Sequence, residues 1–310
     1  MSAALREKRV SLNAAAAVGL GLALAASLAF LGFLLFGPQG RPSGVFGRAV
    51  ERVKVLSRMQ AALHAAVEGE KSAVLAETDE ESRLFAEQAA NATLAVEQAR
   101  RELAPLVDAE GSPKDKELLA EFTEAFAAFR KIDTEILELA VQNTNLKAAR
   151  ISRGPAREAL LRLDAALEGL RRACAGHAAE RKIATLAYEI QLAALHILVQ
   201  HAPHIAEPDE KRMDEIEQDM RAADARIKTA LEGLPVLVPA AGKPMLEAAR
   251  AALSDFDRDT REVLRLSRQN TNVRSLALSL GQKRKVAARC EEILAALQEG
   301  AQATLFKGTR

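Results

Sequence analysis

One short stretch of this chain occurs twice, and this repetition constrains the fold more than any other feature. The copies are residues 135–147 and 262–274, and each contains the tetrapeptide Gln-Asn-Thr-Asn. The same offset that separates Asn143 from Asn270 also superposes Phe129 on Phe256 without a gap. Self-similarity at a long fixed spacing indicates duplication of a whole structural unit. The sequence therefore predicts two copies of one module.

The repeated motif lies on a helical periodicity. In the second copy, steps of three and four connect Val263, Leu266, Asn270, Val273, Ala277 and Leu280. This spacing is typical of the buried seam of a bundled helix. It predicts that the first Asn of each motif is buried. The Thr lies about 100° further round the helix, and the second Asn lies about 200° round, toward solvent or a second partner.

Two interpretations of these polar side chains remain open. A buried polar group without a hydrogen-bond partner costs about 1–3 kcal/mol. A seam Asn can fix the register between packed helices, as a core Asn does in coiled coils. Alternatively, Asn143, Thr144, Asn270 and Thr271 form a layer that binds a small molecule between helices. These four are therefore candidate ligand-binding residues.

The composition favours helices throughout the 310 residues. Aromatic residues make up only 4% of the chain, there is no Trp, and 27% of the residues are charged. With helical periodicity, this mixture is typical of long helices and bundles and predicts an all-α fold. The net charge of +1 gives no indication of a nucleic-acid-binding surface.

The N-terminal region predicts a membrane anchor. Residues 14–36 carry no charge and are long enough to cross a bilayer. Arg6, Lys8 and Arg9 precede them, so the positive-inside rule places residues 1–13 in the cytoplasm and residues 37–310 outside the membrane. A cleavable signal peptide is the alternative, but its apolar region is only about 7–15 residues long.

The remaining chain predicts two stacked up-down helical bundles, residues 45–170 and 171–310. Thr78 starts a helix as N-cap, and Gly154-Pro155 is expected to kink or break the helix that carries the first motif. Residues 156–202 keep helical periodicity almost throughout, so one long helix is expected to serve both bundles. Ala-Ala-Leu-His occurs at 61–64 and 193–196, which predicts equivalent positions for His64 and His196.

The anchor, the duplicated unit and the segment Leu-Ser-Arg-Gln-Asn-Thr-Asn-Val-Arg-Ser-Leu-Ala at 266–277 resemble the four-helix-bundle sensor domains of bacterial methyl-accepting chemotaxis receptors. The duplication resembles the helical bimodular variety. The resemblance concerns the input domain alone, since no second span or signalling domain is expected. It implies a single-pass protein of the bacterial inner membrane whose sensor faces the periplasm. It also implies a small organic acid or amino acid as ligand, and a homodimer or a chemoreceptor-type partner.

Two arginines suggest an anion site. Arg150 and Arg153 stand where the second copy has Ala277 and Leu280, so guanidinium groups replace apolar seam residues. Arg binds carboxylate through two parallel hydrogen bonds, and a pair beside a helix break can hold a small acid. The alternative is that the helix end is simply solvated there.

No catalytic, metal or cofactor site is predicted. His196, His201 and His204 lie close in sequence, but Pro203 interrupts them and no HExxH motif occurs. Cys174 and Cys290 can pair only if their helices are neighbours. The chain is therefore expected not to be an enzyme. The leading hypothesis is an anchored sensor module that binds a small ligand between helices, and the alternative is a structural or interaction spacer with no ligand.

Overall fold

The computed structural model describes the backbone of residues 45–308 and the side chains of residues 47–305. The predicted cytoplasmic segment 1–13 and anchor 14–36 lie outside the described residues. Every regular element within the described range is helical, which confirms the all-α prediction. The α-helices are α1 (Val45–Leu75), α2 (Asp79–Glu110), α3 (Pro113–Ala140), α4 (Thr144–Ile151), α5 (Arg157–Ala173), α6 (Glu180–Ala206), α7 (Glu210–Gly233), α8 (Lys243–Gln269), α9 (Thr271–Leu278) and α10 (Arg284–Gly308).

The described chain divides into two compact units. The smaller unit includes the start of α1, up to Glu51, and the end of α10 from Ala301, and both pieces are helical. The larger unit comprises residues 52–300 and contains all sites discussed below. Local capping follows the sequence: the Thr78 hydroxyl accepts a 3.1 Å hydrogen bond from the Glu81 N–H at the start of α2, as predicted.

Within the larger unit, α1, α2, α3 and α10 contact one another and form the first helix group. Side-chain contacts join these helices: the ion pair Arg58–Glu102 joins α1 to α2, the ion pair Arg289–Glu121 joins α10 to α3, and His64 Nδ1 lies 3.6 Å from Glu291 between α1 and α10. Phe122, Phe126 and Phe129 stack along the inner face of α3, with ring centroids 5.5 and 5.6 Å apart. These rings are almost fully buried and give the group its apolar centre.

The second helix group consists of α5, α6, α7 and α8, which share one hydrophobic core. The predicted boundary between residues 170 and 171 is wrong, because it cuts through this core: Leu170, Ile183, Ile227 and Phe256 all belong to it. The predicted long helix is also wrong. The chain turns between Ala173 and Glu180, with Gly176 at a φ of 76° that glycine adopts without strain.

The second group is inserted into the first, because both repeated motifs break their helices. Asn143 and Asn270 adopt left-handed φ angles of 51° and 54°, which Asn tolerates better than most residues. After each break the chain changes partner: α4 packs against α8, and α9 packs against α3. The prediction of a continuous helix through the motif is therefore wrong.

The left-handed residue also shifts the helical phase. Beyond Asn270 the buried positions are Thr271, Ser275 and Ser279, whereas Ala277 is exposed and Leu280 is 62% exposed. The seam predicted for the second copy is thus correct as far as Asn270 and wrong beyond it. The 3.6-residue period relates buried positions only within one uninterrupted helix. A single left-handed residue interrupts the helix, so the period before Asn270 does not predict the buried positions after it.

Each copy contains a π-helical turn at the equivalent place, Ser152–Ala156 and Ser279–Lys283. Of the kink or break predicted at Gly154-Pro155, the break does not occur: the π-turn interrupts the regular α-helix there, and the chain continues through it into α5. The second turn, Ser-Leu-Gly-Gln-Lys, contains no Pro. Pro155 is therefore accommodated by the π-turn and is not its cause.

Helices α1 and α6 are equivalent elements of the duplication. Their positions align when 131 is added to a residue number of α1, so that Glu70 corresponds to His201. Ser279 bonds Glu70 in the first group, and Ser152 bonds His201 in the second. At this offset the buried residues Leu56, Met59, Leu63 and Ala66 match the buried residues Ala187, Ile190, Ala194 and Ile197. The predicted equivalence of His64 and His196 is wrong by one residue.

Candidate functional site

The two repeated motifs meet residue for residue. The Oγ1 atoms of Thr144 and Thr271 lie 3.1 Å apart, and each accepts a 3.2 Å hydrogen bond from the other's backbone N–H. Asn145 and Asn272 repeat this exchange, because the backbone N–H of each donates to the side-chain oxygen of the other, at 3.2 and 3.1 Å. The junction thus has an approximate two-fold symmetry.

The first Asn of each motif has both polar side-chain atoms hydrogen-bonded. Asn143 accepts from the Asn272 amide at 3.0 Å and donates to Asp79 at 3.0 Å. Asn270 accepts from the Asn145 amide at 2.8 Å and donates to the Glu207 carbonyl oxygen at 2.9 Å. Both are buried, which confirms that part of the prediction. Asn145 is also buried and bonds Asn270 and Asn272, so of the two predicted surroundings, solvent or a second partner, the structure has the partner.

These bonds support the register-fixing interpretation of the motif. The polar side-chain atoms of Asn143, Thr144, Asn270 and Thr271 all have partners within the chain. A ligand at this layer would have to replace bonds that the fold already makes. Ligand binding by these four residues remains a prediction.

The Thr144–Thr271 pair allows a direct measurement of the junction. We expect Thr144→Val to lower the free energy of unfolding by about 1–3 kcal/mol, since it leaves buried Thr271 groups without a partner. Thr271→Val should cost about as much, and the double variant clearly less than the sum of the two. Chemical denaturation of the full chain in detergent micelles measures the three values. Strictly additive losses would contradict the pairing.

The two candidate arginines lie at the edge of this junction. The Arg150 side chain is 57% exposed and lies 3.9 Å from the Asp79 carboxylate, which Lys147 also contacts at 3.2 Å. Burial raises the pKa of Asp79, but hydrogen bonds from Asn143 and Lys147 outweigh it and lower that pKa. Arg153 is exposed in the π-turn.

Contrary to the sequence-based prediction, Arg150 and Arg153 do not replace apolar seam residues. Ala277 and Leu280, their counterparts in the second copy, are exposed and do not lie in a seam. No apolar core positions were therefore exchanged for arginine. An anion site at Arg150 and Arg153 remains a prediction without that support.

A groove lies between α7 and α8 in the second group. Its volume is about 440 Å³, within the range of sites for small ligands. Its apolar lining comes from α6, α7 and α8: Ile197, Met220, Ile227, Leu231, Leu253, Phe256 and Leu264. We call this cavity the α7–α8 groove.

Thr260 gives the groove an unused polar group. Its side chain is 9% exposed, and its Oγ1 atom has no hydrogen-bond partner among the described residues. Thr260 is the repeat counterpart of Asp133, which is fully engaged in the first group. An unpaired buried hydroxyl costs about 1–3 kcal/mol, which a bound molecule can recover. Sequence reasoning did not select Thr260, although the repeat places polar residues at both positions.

The charged rim of the groove is internally neutralised. Its arginines and lysine bond to acidic residues on their own helices: Arg221–Glu217, Lys228–Asp224, Arg250–Glu247 and Arg261–Asp257. Exposed pairs of this kind contribute little to stability. They do reduce the attraction that any single cation offers to an anionic ligand.

Glu217 connects the groove with the motif junction. It lines the groove and accepts a 2.7 Å hydrogen bond from Arg268, which precedes Asn270 by two residues. The same Glu217 oxygen lies 3.1 Å from Nε2 of the buried His204, whose Nδ1 lies 2.8 Å from the Ser267 hydroxyl. Burial raises the pKa of Glu217, but its bonds to Arg268 and His204 lower it overall.

The remaining histidines and cysteines have local roles. His201 Nδ1 lies 3.1 Å from the Ser152 hydroxyl, and the imidazole stacks on Phe256 with ring centroids 6.2 Å apart. Within the described chain, no group of three His, Cys, Asp or Glu side chains is arranged to hold a metal ion. Cys174 and Cys290 are both buried and free.

A buried ion cluster lies at the matching level of the first group. Lys283 is 1% exposed, pairs with Asp133, and holds its Nζ atom 3.6 Å from the centre of the Phe129 ring. Thr93 donates a 3.0 Å hydrogen bond to the other Asp133 oxygen. Glu70 is buried beside this pair, and burial raises the Glu70 pKa while lowering the Lys283 pKa. The sequence reasoning did not foresee this cluster.

No family model and no curated protein matches the chain. Among solved structures, its fold is similar to that of the TorS sensor domain, seen in the crystal structure of the TorS sensor domain–TorT complex in the presence of TMAO. The TM-score is 0.51 at 13% sequence identity, over 84% of this chain and 100% of that one. At this identity the comparison concerns the fold alone: the chain has an all-helical fold similar to that of the TorS domain.

Proposed function

We propose that this protein is a membrane-anchored sensor module that faces the periplasm and binds a small ligand in the α7–α8 groove. The observation that carries the proposal is an apolar groove of about 440 Å³ whose lining includes Thr260, a residue with a buried and unpaired hydroxyl. The similar TorS domain is named as a sensor, in a complex with TorT and in the presence of the small molecule TMAO. In this proposal the two helix groups are stacked bundles derived from one duplicated unit, and no catalytic step is assigned.

The groove favours a compact ligand with an apolar body. Its walls are aliphatic and aromatic, and Thr260 offers one hydroxyl that can donate or accept a hydrogen bond. Because acidic neighbours pair the rim cations, a zwitterion matches the rim better than a dicarboxylic acid does. An amino acid with an apolar side chain combines these properties.

Signal transfer follows from the position of Glu217. A ligand in the groove contacts α7 and α8, and Glu217 of α7 is bonded to Arg268 at the end of α8. Asn270 and Thr271 follow Arg268 directly in sequence after Gln269, and they bond Asn145 and Thr144 of the first motif. At this junction the chain passes between the two helix groups. A relative shift of α7 and α8 by about 1–2 Å would therefore reach the junction directly.

The second candidate function is a structural or interaction spacer. The saturated motif junction favours it, since the Asn and Thr side chains fix helix register without a ligand. The two functions differ in one measurable property, which is the stabilisation of the folded chain by a small molecule.

We expect an apolar amino acid to raise the melting temperature of the full chain in detergent micelles. At a hundredfold excess over Kd, binding contributes about 2.7 kcal/mol. Thr260→Val should weaken binding by about tenfold, because one hydrogen bond is lost. Ser254→Trp, which fills the groove, should abolish the shift. A scan against single amino acids and small organic acids provides the measurement.

Thr229→Val is the matched control, because Thr229 lies on α7, is exposed, and bonds only its own helix at Ala225. It should leave the shift unchanged. A shift that survives Ser254→Trp would move the site to the motif layer or to Arg150 and Arg153. If no compound stabilises the chain, the spacer function is favoured.

A further inference from the structure

Helix α6 exposes an apolar stripe on the side that faces away from its own core. Tyr188, Leu192, Leu195 and Val199 are 52%, 67%, 46% and 63% exposed. The opposite side of α6 is buried in the core of the second group through Ile183, Ile190 and Ile197, among others. Within the described residues, α6 is the one helix long and apolar enough to cross a membrane by length and composition, although its core face is already packed.

The stripe has the spacing of a two-stranded coiled coil. Steps of three and four connect Thr185, Tyr188, Leu192, Leu195, Val199 and Ala202, all of them exposed. In the heptad notation, Thr185, Leu192 and Val199 occupy a, and Tyr188, Leu195 and Ala202 occupy d. β-Branched residues at a with Leu at d favour parallel dimers, and three of the six positions, Thr185, Val199 and Leu195, follow this rule. The seam is about 27 Å long at 1.5 Å per residue.

The fold itself does not require this stripe. At the offset of 131 residues, the matching face of α1 is also exposed, but five of its six residues are polar: Lys54, Ser57, Ala61, His64, Glu68 and Lys71. Two helices with the same burial pattern therefore differ only on their outer face. Exposed apolar patches of this kind mark interaction surfaces.

We propose that two copies of this chain pair through α6 in a parallel, two-fold symmetric coiled coil. In a parallel pair, each g residue meets the e residue of the following heptad in the partner. Here those pairs are Ala184 with Glu189, Gln191 with His196, and Leu198 with Pro203, so no two like charges face each other. An isologous seam of this composition is self-complementary.

Arg171 closes one edge of the seam. Its guanidinium lies 4.4 Å from the centre of the Tyr188 ring, and its Nη1 donates a 3.5 Å hydrogen bond to Gln191. These contacts hold the ring of Tyr188 against α6 at position d. The dimer also keeps equivalent ends of both chains on one side, as membrane anchoring of both requires.

Single-cysteine variants of the full chain in detergent micelles test both the contact and its direction. In the parallel dimer, Tyr188→Cys alone and Val199→Cys alone each form a disulfide with their own copy under mild oxidation. The native Cys174 and Cys290 are buried and should not compete. We expect at least tenfold more cross-linked product than for Leu94→Cys, which is 55% exposed on α2. Cross-linking only in a mixture of the two variants would mean an antiparallel pair and would overturn the proposal.

Charge substitution tests whether the seam carries the association. Light scattering should give the mass of two chains for the wild-type protein and of one chain for Leu192→Lys with Leu195→Lys. Leu84→Lys with Leu94→Lys, at exposed apolar sites on α2, should remain dimeric. A monomeric wild-type protein would overturn the proposal and would mean that the stripe contacts a different protein. A lysine variant that stays dimeric would also overturn it, because the two chains would then pair through a different surface. Because no ligand is added, these results are independent of the ligand-binding proposal.

Discussion

Replacing Lys283 by methionine is expected to lower the free energy of unfolding by about 3–5 kcal/mol, the largest effect of any single change considered for this chain. Lys283 is 1% exposed and provides the positive charge beside Asp133 and Glu70, both of which are buried. Methionine fills a similar volume, so the loss comes mainly from the carboxylates left without a counter-charge. Glu70 Oε1 already has no hydrogen-bond partner among the described residues, so the cluster has no spare donor.

The repeat suggests how the loss can be reversed. In the second group, the positions equivalent to Lys283 and Asp133 hold Ala156 and Thr260, so the fold accepts an uncharged pair there. We expect Lys283→Met combined with Asp133→Thr to recover more than half of the lost stability. Denaturant unfolding followed by circular dichroism measures both variants. Lys285→Met, at an exposed site two residues further on, should change stability by less than about 0.5 kcal/mol.

The sequence predicted those features that depend on local periodicity. Steps of three and four placed Ile136 and Val263 in the core and brought the first Asn of each motif to a buried position, as observed. The Thr78 cap is equally local. These predictions succeed because each concerns only neighbouring turns of one helix.

The pairing of the helices could not be predicted in the same way. A duplication produces two copies of each surface but does not determine which copy each surface meets. Here the two motifs contact each other, because left-handed conformations at Asn143 and Asn270 break the helices there. Asn tolerates this conformation but does not require it, so the sequence alone does not predict the break. The groove was missed for a related reason: it arises from the spacing of α7 and α8, and Thr260 belongs to no recognisable motif.

Acidification is expected to destabilise the folded chain through His201. Burial, with a smaller contribution from the charge of His204, lowers the pKa of His201 from 6.5 to about 4. Below pH 6.5 the unfolded chain therefore binds a proton at this residue that the folded chain does not. Stability falls as the pH drops from 6.5 toward 4, and the total loss is about 3 kcal/mol, of which about 2 kcal/mol appears by pH 5.

The His201→Asn variant isolates this effect. The Asn amide can replace Nδ1 in the hydrogen bond to Ser152, but it does not titrate. Carboxylates with lowered pKa values, such as Glu97 at about 2, act mainly below their ordinary value of 4.5, so the interval from pH 7.5 to 5 reports chiefly on histidine. We expect wild-type stability to fall about 2 kcal/mol further than that of His201→Asn over this interval.

His196→Asn, on the exposed side of the same helix, should behave like the wild type. Parallel pH profiles for wild type and His201→Asn would mean that His201 becomes protonated within the folded chain, and that water reaches the imidazole between Ser152 and Phe256.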